Sequence, residues 1–223
     1  MARWFALGLA LAVVGSIAGA CGSSAAASAE SRKPAAQIYA DALRASSSAR
    51  SVHVTGTLMM NGQNLYEDLV IGQSQGGGSI SIGGNRIGVF ADSQWVDMNA
   101  SASTWEALSK DPSSSKLADK WAEFPASSSL FKDLGINNLP DFVKSLFNQN
   151  PTQFVKGRLT TVHGVPAIPL TIPGQGSMYI ASQGVPYLLG FQGAGLGAVF
   201  DQWNVVSPPT PPSGATPAVD LLK

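Results

Sequence analysis

The chain has 223 residues, with 14 Lys plus Arg balanced by 14 Asp plus Glu, and only 13 % of it is charged, about half the ~25 % usual in globular domains. No basic stripe exists to neutralise phosphates, so nucleic acid is not a suggested partner, and the balanced charge points to no acidic one either. A single cysteine excludes an internal disulfide, while 44 % hydrophobic residues suffice for one sizeable core.

The first twenty residues, MARWFALGLALAVVGSIAGA, carry one positive charge (Arg3), then an apolar run, then small residues. This is the pattern of a secretory signal, and its uncharged stretch from Trp4 to Ala20 falls short of the roughly 20 residues that span a bilayer comfortably. Cys21 follows at once, and GSSAAASAES after it is too small and polar to join a core. Ala18-Gly19-Ala20-Cys21 resembles the bacterial lipobox, with Ala18 where Leu or Val is more usual. That resemblance implies cleavage before Cys21 and a diacylglyceryl group on its thiol, which anchors the protein to the outer face of the plasma membrane. Two acyl chains hold a protein at a membrane where one does not. An ordinary A-x-A cleavage site is the competing reading.

Residues 21–33 then form a flexible tether, and a domain is expected over 34–207. Pro34 opens a short amphipathic helix in AAQIYADALRAS. In SVHVTGTLMM, Val52, Val54, Leu58 and Met60 share one face with Gly56, and Ser51, His53, Thr55 and Thr57 share the other. Such alternation predicts a half-buried antiparallel strand, and Asn61-Gly62 predicts a hairpin into NLYEDLVIGQ. SISIGG, NRIGVF and SQWVDMN continue the meander. The middle, from STWEALSK through LADKWAEFP to PDFVKSLFNQ, is expected to be helical and broken. After Asn150-Pro151 the strands resume in TQFVKGRLTTVHG, VPAIPLTI, GSMYIAS, PYLLGFQG and GAVFDQWNVV. Pro169 predicts an edge or a bulge there. The Pro-rich tail 208–223 is expected to be extended.

These elements make an α+β domain: a curled antiparallel sheet of about ten strands, a half-barrel, with helices covering its concave face. The succession DALRASSSARSVHVTGTL, QWVDMN, LADKWAEFP, TVHGVPAIPLTIPGQGSMYIASQGVPYLLGF and AVFDQWN resembles the actinobacterial cell-envelope lipoproteins of the LppX/LprG (LprAFG) type and their LolA-like relatives. The resemblance implies this half-barrel, and a lipid or glycolipid held between the sheet and the helices.

No catalytic constellation is visible. The two histidines, His53 and His163, fall on a polar strand face and in a turn, and no His/Cys cluster remains to hold a metal. No G-x-S-x-G elbow occurs. Glu67 and Asp68 are adjacent in a strand and point to opposite faces, which disqualifies them as a paired acid and base. Neither an enzyme nor a cofactor is expected.

Alternation assigns Leu58, Leu69, Ile71, Ile80, Val89, Ile180, Leu189 and Phe191 to the inner face of the sheet. Phe131, Leu134, Phe142 and Leu146 stand opposite them on the helical middle. Gly56, Gly88, Gly193, Gly195 and Gly197 reduce the filling between the layers. These residues are walls if the space is open and core if it is filled. Two functions follow: a lipid-binding lipoprotein, or a structural or protein-interaction lipoprotein with a filled core.

Overall fold

The computed structural model describes residues 28–60, 63–128, 135–193 and 195–218. The signal segment, Cys21, the Asn61-Gly62 turn, Phe131, Leu134 and the side chain of Leu58 lie outside the described residues. Helix α1 spans Ala35–Ser47, begins at Pro34, and buries Ile38, Tyr39 and Ala42. Five long strands follow as a meander: β1 (Ser51–Met60), β2 (Gln63–Gly72), β3 (Gln75–Ile82), β4 (Asn85–Asp92) and β5 (Trp95–Ala100). Each pairs antiparallel with the next.

The middle contains helices α2 (Ala102–Ser109) and α3 (Leu139–Leu146), with strand β6 (Trp121–Pro125) between them. The expectation of a helical, broken middle is therefore corrected at WAEFP, which forms a strand. Ala122 and Phe124 alternate into the core, and β6 pairs with β5. Strands β7 (Val155–Lys156), β8 (Thr160–Val162), β9 (Val165–Ile172), β10 (Gly176–Ala181), β11 (Leu188–Gly193) and β12 (Leu196–Asp201) complete the second half. The two-residue β13 (Thr216–Pro217) closes the order β13-β6-β5-β4-β3-β2-β1-β12-β11-β10-β9-β7, with β8 also on β9. Among the described strands, only β13 pairs parallel. The sheet is unclosed, and its thirteen described strands exceed the expected ten because the expected strand TQFVKGRLTTVHG is split into β7 and β8 and because β6 and β13 are added.

Pro169 has no N–H to donate, and it falls in the gap between the two short strands on β9. There β8 pairs with residues 165–167 and β7 with 170–171. The Pro169 carbonyl still accepts from Gly157 N at 2.9 Å. Both halves of the sheet bury their inward residues in one core under the helices, including Val52, Val54, Leu69, Ile71, Ile168, Leu170, Ile180 and Leu188.

Trp105 is fully buried in that core. Trp203 stacks on Tyr187 with ring centroids 4.8 Å apart and donates from Nε1 to the Leu188 carbonyl at 3.0 Å. Trp121 lies over Gly88 on the outer face. These tryptophans pack the fold.

Candidate functional site

A β-bulge decides which residues face the helices at one end of the sheet. The register between β10 and β11 shifts between Tyr179 and Ile180, so that Ile180 pairs with Leu188 while Tyr179 pairs with Gly190. The Leu188 N–H donates to Ser46 Oγ of α1 at 3.1 Å, in the interior. Leu188 is thereby drawn inward, and Leu189 is turned out. Leu189 joins Ala167 and Ala181 in a small cluster on the opposite face, packed by Val162 and Tyr179. Its assignment to the inner face is corrected: strict alternation fails at the extra residue of a bulge.

Leu69, Ile71, Val89 and Ile180 do lie on the helix-covered face, at 2 %, 0 %, 4 % and 0 % exposure. They are packed by their own neighbours, and the centre of the interlayer space is therefore filled. Ile80, Phe142, Leu146 and Phe191 sit partly buried at its margin. There a cavity of about 310 Å³ opens between the end of α3 and the ends of β9 to β12. Leu146 and Phe191 line it with Phe154, Ile172, Met178 and Leu196, and Ser145, Gln149 and Gln175 supply polar edges. At roughly 30 Å³ per water-sized unit, it accommodates about ten such units, the bulk of one medium acyl chain.

The cavity wall is held from behind by aromatic packing. Tyr39 of α1 contacts the rings of Phe147 and Phe154, with centroids 5.0 and 5.1 Å away. Its hydroxyl donates to the Gln149 carbonyl at 3.1 Å, which fixes the chain after α3. At the start of α3, Asn138 caps the helix by accepting from Asp141 N at 3.0 Å. Both contacts set the height of Leu146 above the sheet.

Sequence reading missed Phe154, Ile172, Met178 and Leu196. Met178 was accessible by carrying the alternation two residues back from Ile180. Phe154 follows a 3₁₀ turn (Pro151–Gln153) and has no periodic signal. Among the glycines, Gly193 does line the cavity, but a Cβ there would strike the Gln175 carbonyl. It is glycine because two backbones meet, not because a ligand needs the space. Gly88 lies on the outer face, under Trp121.

Among the described residues, no charged side chain lines the apolar cavity. On the helix-covered face beyond it, Glu67 stands opposite Gly56, and burial raises its pKa. Asp68 points the other way. It accepts from His53 Nε2 at 3.0 Å while Asp201 engages Nδ1 at 2.7 Å, a clamp across three strands on the outer face. Burial alone would lower the His53 pKa, but the two carboxylates outweigh it and raise it. A larger groove, of about 1070 Å³, also lies against the outer face. Thr55, Thr57, Thr160, Thr161 and Gln192 give it hydroxyl and amide walls, unsuited to a hydrocarbon chain. Among the described residues, no group of three or more His, Cys, Asp or Glu could hold a metal.

An unclosed antiparallel sheet with helices on one face, and an apolar cavity between the layers at one end, defines an α+β half-barrel class of protein. The same fold occurs in lipoprotein LppX of Mycobacterium tuberculosis, at 14 % identity and a TM-score of 0.50, over 77 % of this chain and 96 % of that one. It occurs also in LprF from Mycobacterium bovis, at 13 % identity and a TM-score of 0.52, over 82 % of this chain and 97 % of that one. No protein-family profile matches the sequence, and no curated protein matches it. The common feature is architecture.

Proposed function

We propose that this chain is an exported, non-enzymatic lipoprotein that holds one acyl chain of a lipid or glycolipid between its sheet and its helices. In this reading residues 1–20 are removed as a signal peptide and Cys21 carries a diacylglyceryl anchor. The domain over 34–207 then stands on a tether at the outer face of the plasma membrane. The lipobox-like Ala18-Gly19-Ala20-Cys21 supports the anchor, and the fold held in common with lipoprotein LppX agrees with it. No helix among the described residues is long and apolar enough to cross a membrane, and the reading needs none.

The observation that carries lipid binding is the apolar cavity at Leu146, Phe154, Met178 and Phe191. Hydrocarbon transferred from water gains roughly 0.8 kcal/mol per buried methylene. The packed centre restricts occupancy to a single chain entering at the end of α3. It also favours the second reading, an interaction lipoprotein whose core is its own. Uptake of a fluorescent fatty acid by the Cys21→Ser protein, purified without detergent, separates the two. Lipid binding predicts saturable uptake that Leu146→Trp diminishes; unsaturable, mutation-insensitive partitioning supports the filled-core reading.

A further inference from the structure

The C-terminal residues cross the outer face of the sheet as a strap. At its start, Asn204 N donates to the Ser51 carbonyl at 2.9 Å, and Ser51 Oγ donates to the Val206 carbonyl at 2.6 Å. Gln75 Nε2 then donates to the Pro209 carbonyl at 2.8 Å. Pro209 rests over Gly77, where a Cβ would meet Pro209 Cγ at 3.0 Å. At the far end Thr216 and Pro217 pair with Ala122 and Glu123 of β6, and Ala218 N donates to the Glu123 carbonyl at 2.9 Å.

Between those two ends lies one row of paired residues: Gly77 on β3, Phe90 on β4, Asp97 on β5 and Glu123 on β6. From β3 to β13 is four strand spacings, about 19 Å. The eight steps from Pro209 to Pro217 reach up to about 26 Å in extended chain. The strap is therefore long enough to follow the row. Phe90 and Asp97 alternate away from the helix-covered core, yet they are only 2 % and 4 % exposed, the burial expected beneath such a strap.

Asp97 is the anomaly in this row. Its Oδ1 is buried with no hydrogen-bond partner, a costly arrangement for a carboxylate. The charged groups near it are acidic. Glu123 stands directly opposite on β6, and Asp92 on β4 is engaged by the amides of Gln94 and Trp95 at 2.7 and 2.8 Å. The outward residues of β3 carry no charge, β5 has no second charged residue, and residues 207–218 of the strap contain none. The basic residue of β4, Arg86, lies four positions from Phe90, toward the other end of the strand.

We propose that residues 204–218 form a proton-latched clasp, which closes over a protonated Asp97 and loosens when that carboxyl ionises beside Glu123, baring Phe90 and the edge of β6. Burial, with repulsion from Glu123 and Asp92 added, pushes the Asp97 pKa up to about 6 from 3.8. Because the closed state holds the proton more tightly, closure is strongest at low pH. It weakens as pH rises through 6 and is level from about one pH unit above that. For pKa values of about 3.8 open and 6 closed, the closing equilibrium falls up to about tenfold between pH 5 and 7.5. Release would leave the β6 edge with unpaired backbone groups, the usual template for strand addition.

The test is hydrogen exchange of the Ala218 amide in the full-length protein by NMR, with the base-catalysed intrinsic rate divided out. Protection in the wild type should fall toward tenfold from pH 5 to 7.5, while amides of β1 such as Val54 stay unchanged. Asp97→Asn, which keeps the shape without the charge, should hold Ala218 protected at both pH values. Glu123→Gln should move the midpoint down, and the carboxyl carbon shift of Asp97 reports that midpoint even if Asp97→Asn folds poorly. Protection independent of pH in the wild type, an Asp97→Asn profile that tracks it, or an Asp97 carboxyl titrating at an ordinary pKa would each overturn the clasp.

Discussion

The length of the bound chain should be readable from the cavity. A space of about 310 Å³ holds about ten methylene-sized groups, taking roughly 30 Å³ for a unit the size of water. Consider monoacylglycerols of increasing length offered to the Cys21→Ser protein. Each added methylene should gain roughly 0.8 kcal/mol while it enters the cavity, about fourfold in affinity. Four additions below the limit therefore give about 200-fold. Past about ten to twelve carbons the cavity is full, and affinity should change less than about twofold per step. Calorimetric titration across chains of about six to eighteen carbons would show a bend. At saturation near 100 times Kd the domain should gain about 2.7 kcal/mol, or about 5–10 °C in Tm for its size. Affinity that climbs steadily to the longest chain would refute a cavity closed behind by Tyr39, Phe147 and Phe154.

Other consequences follow from the same packing. Ile180→Ala should cost about 2–5 kcal/mol in urea unfolding, because Ile180 is fully buried core; a cost near zero would mean that it borders open space. His53→Gln should lower stability at pH 5.5 by about 1 kcal/mol or less and have less effect at pH 8.5. The pKa of His53 is raised in the folded state, so its ion pairs with Asp68 and Asp201 contribute below the unfolded value and fade as pH rises through the folded one. An effect larger at pH 8.5 would contradict that sign. Changing Cys21 to Ser should abolish acylation and release the protein from the membrane fraction; an unmodified mature N-terminus in the wild type, by mass spectrometry, would remove the anchor from the account.

The first half of the sheet was legible because β1 to β5 combine period-two alternation with turns rich in Gly, Asn, Asp and Ser, two independent signals that agree. Strand β6 was not, since five residues ending in Pro125 carry too few alternations to stand out between helical stretches. Strand β13 pairs through only two residues, Thr216 and Pro217. The site was half legible. Leu146 and Phe191 were found by spacing, while Leu189 was placed on the wrong face by a bulge that depends on the Ser46 hydroxyl of a distant helix. The filling of the centre around Ile71 and Ile180 is a property of packed volumes, which periodicity does not encode. Glu67 and Asp68 were rightly separated, and the clamp that Asp68 and Asp201 form on His53 required knowledge of which strands lie beside β1.

The central claim is that the interlayer cavity holds lipid. Its most direct test is mass spectrometry of an organic extract from the Cys21→Ser protein, exported by its natural host and purified without detergent. The account predicts about one acyl-bearing molecule per chain from this protein and a markedly reduced yield from Leu146→Trp made in parallel. A lipid-free extract, with no acyl chain taken up on later exposure, would contradict it.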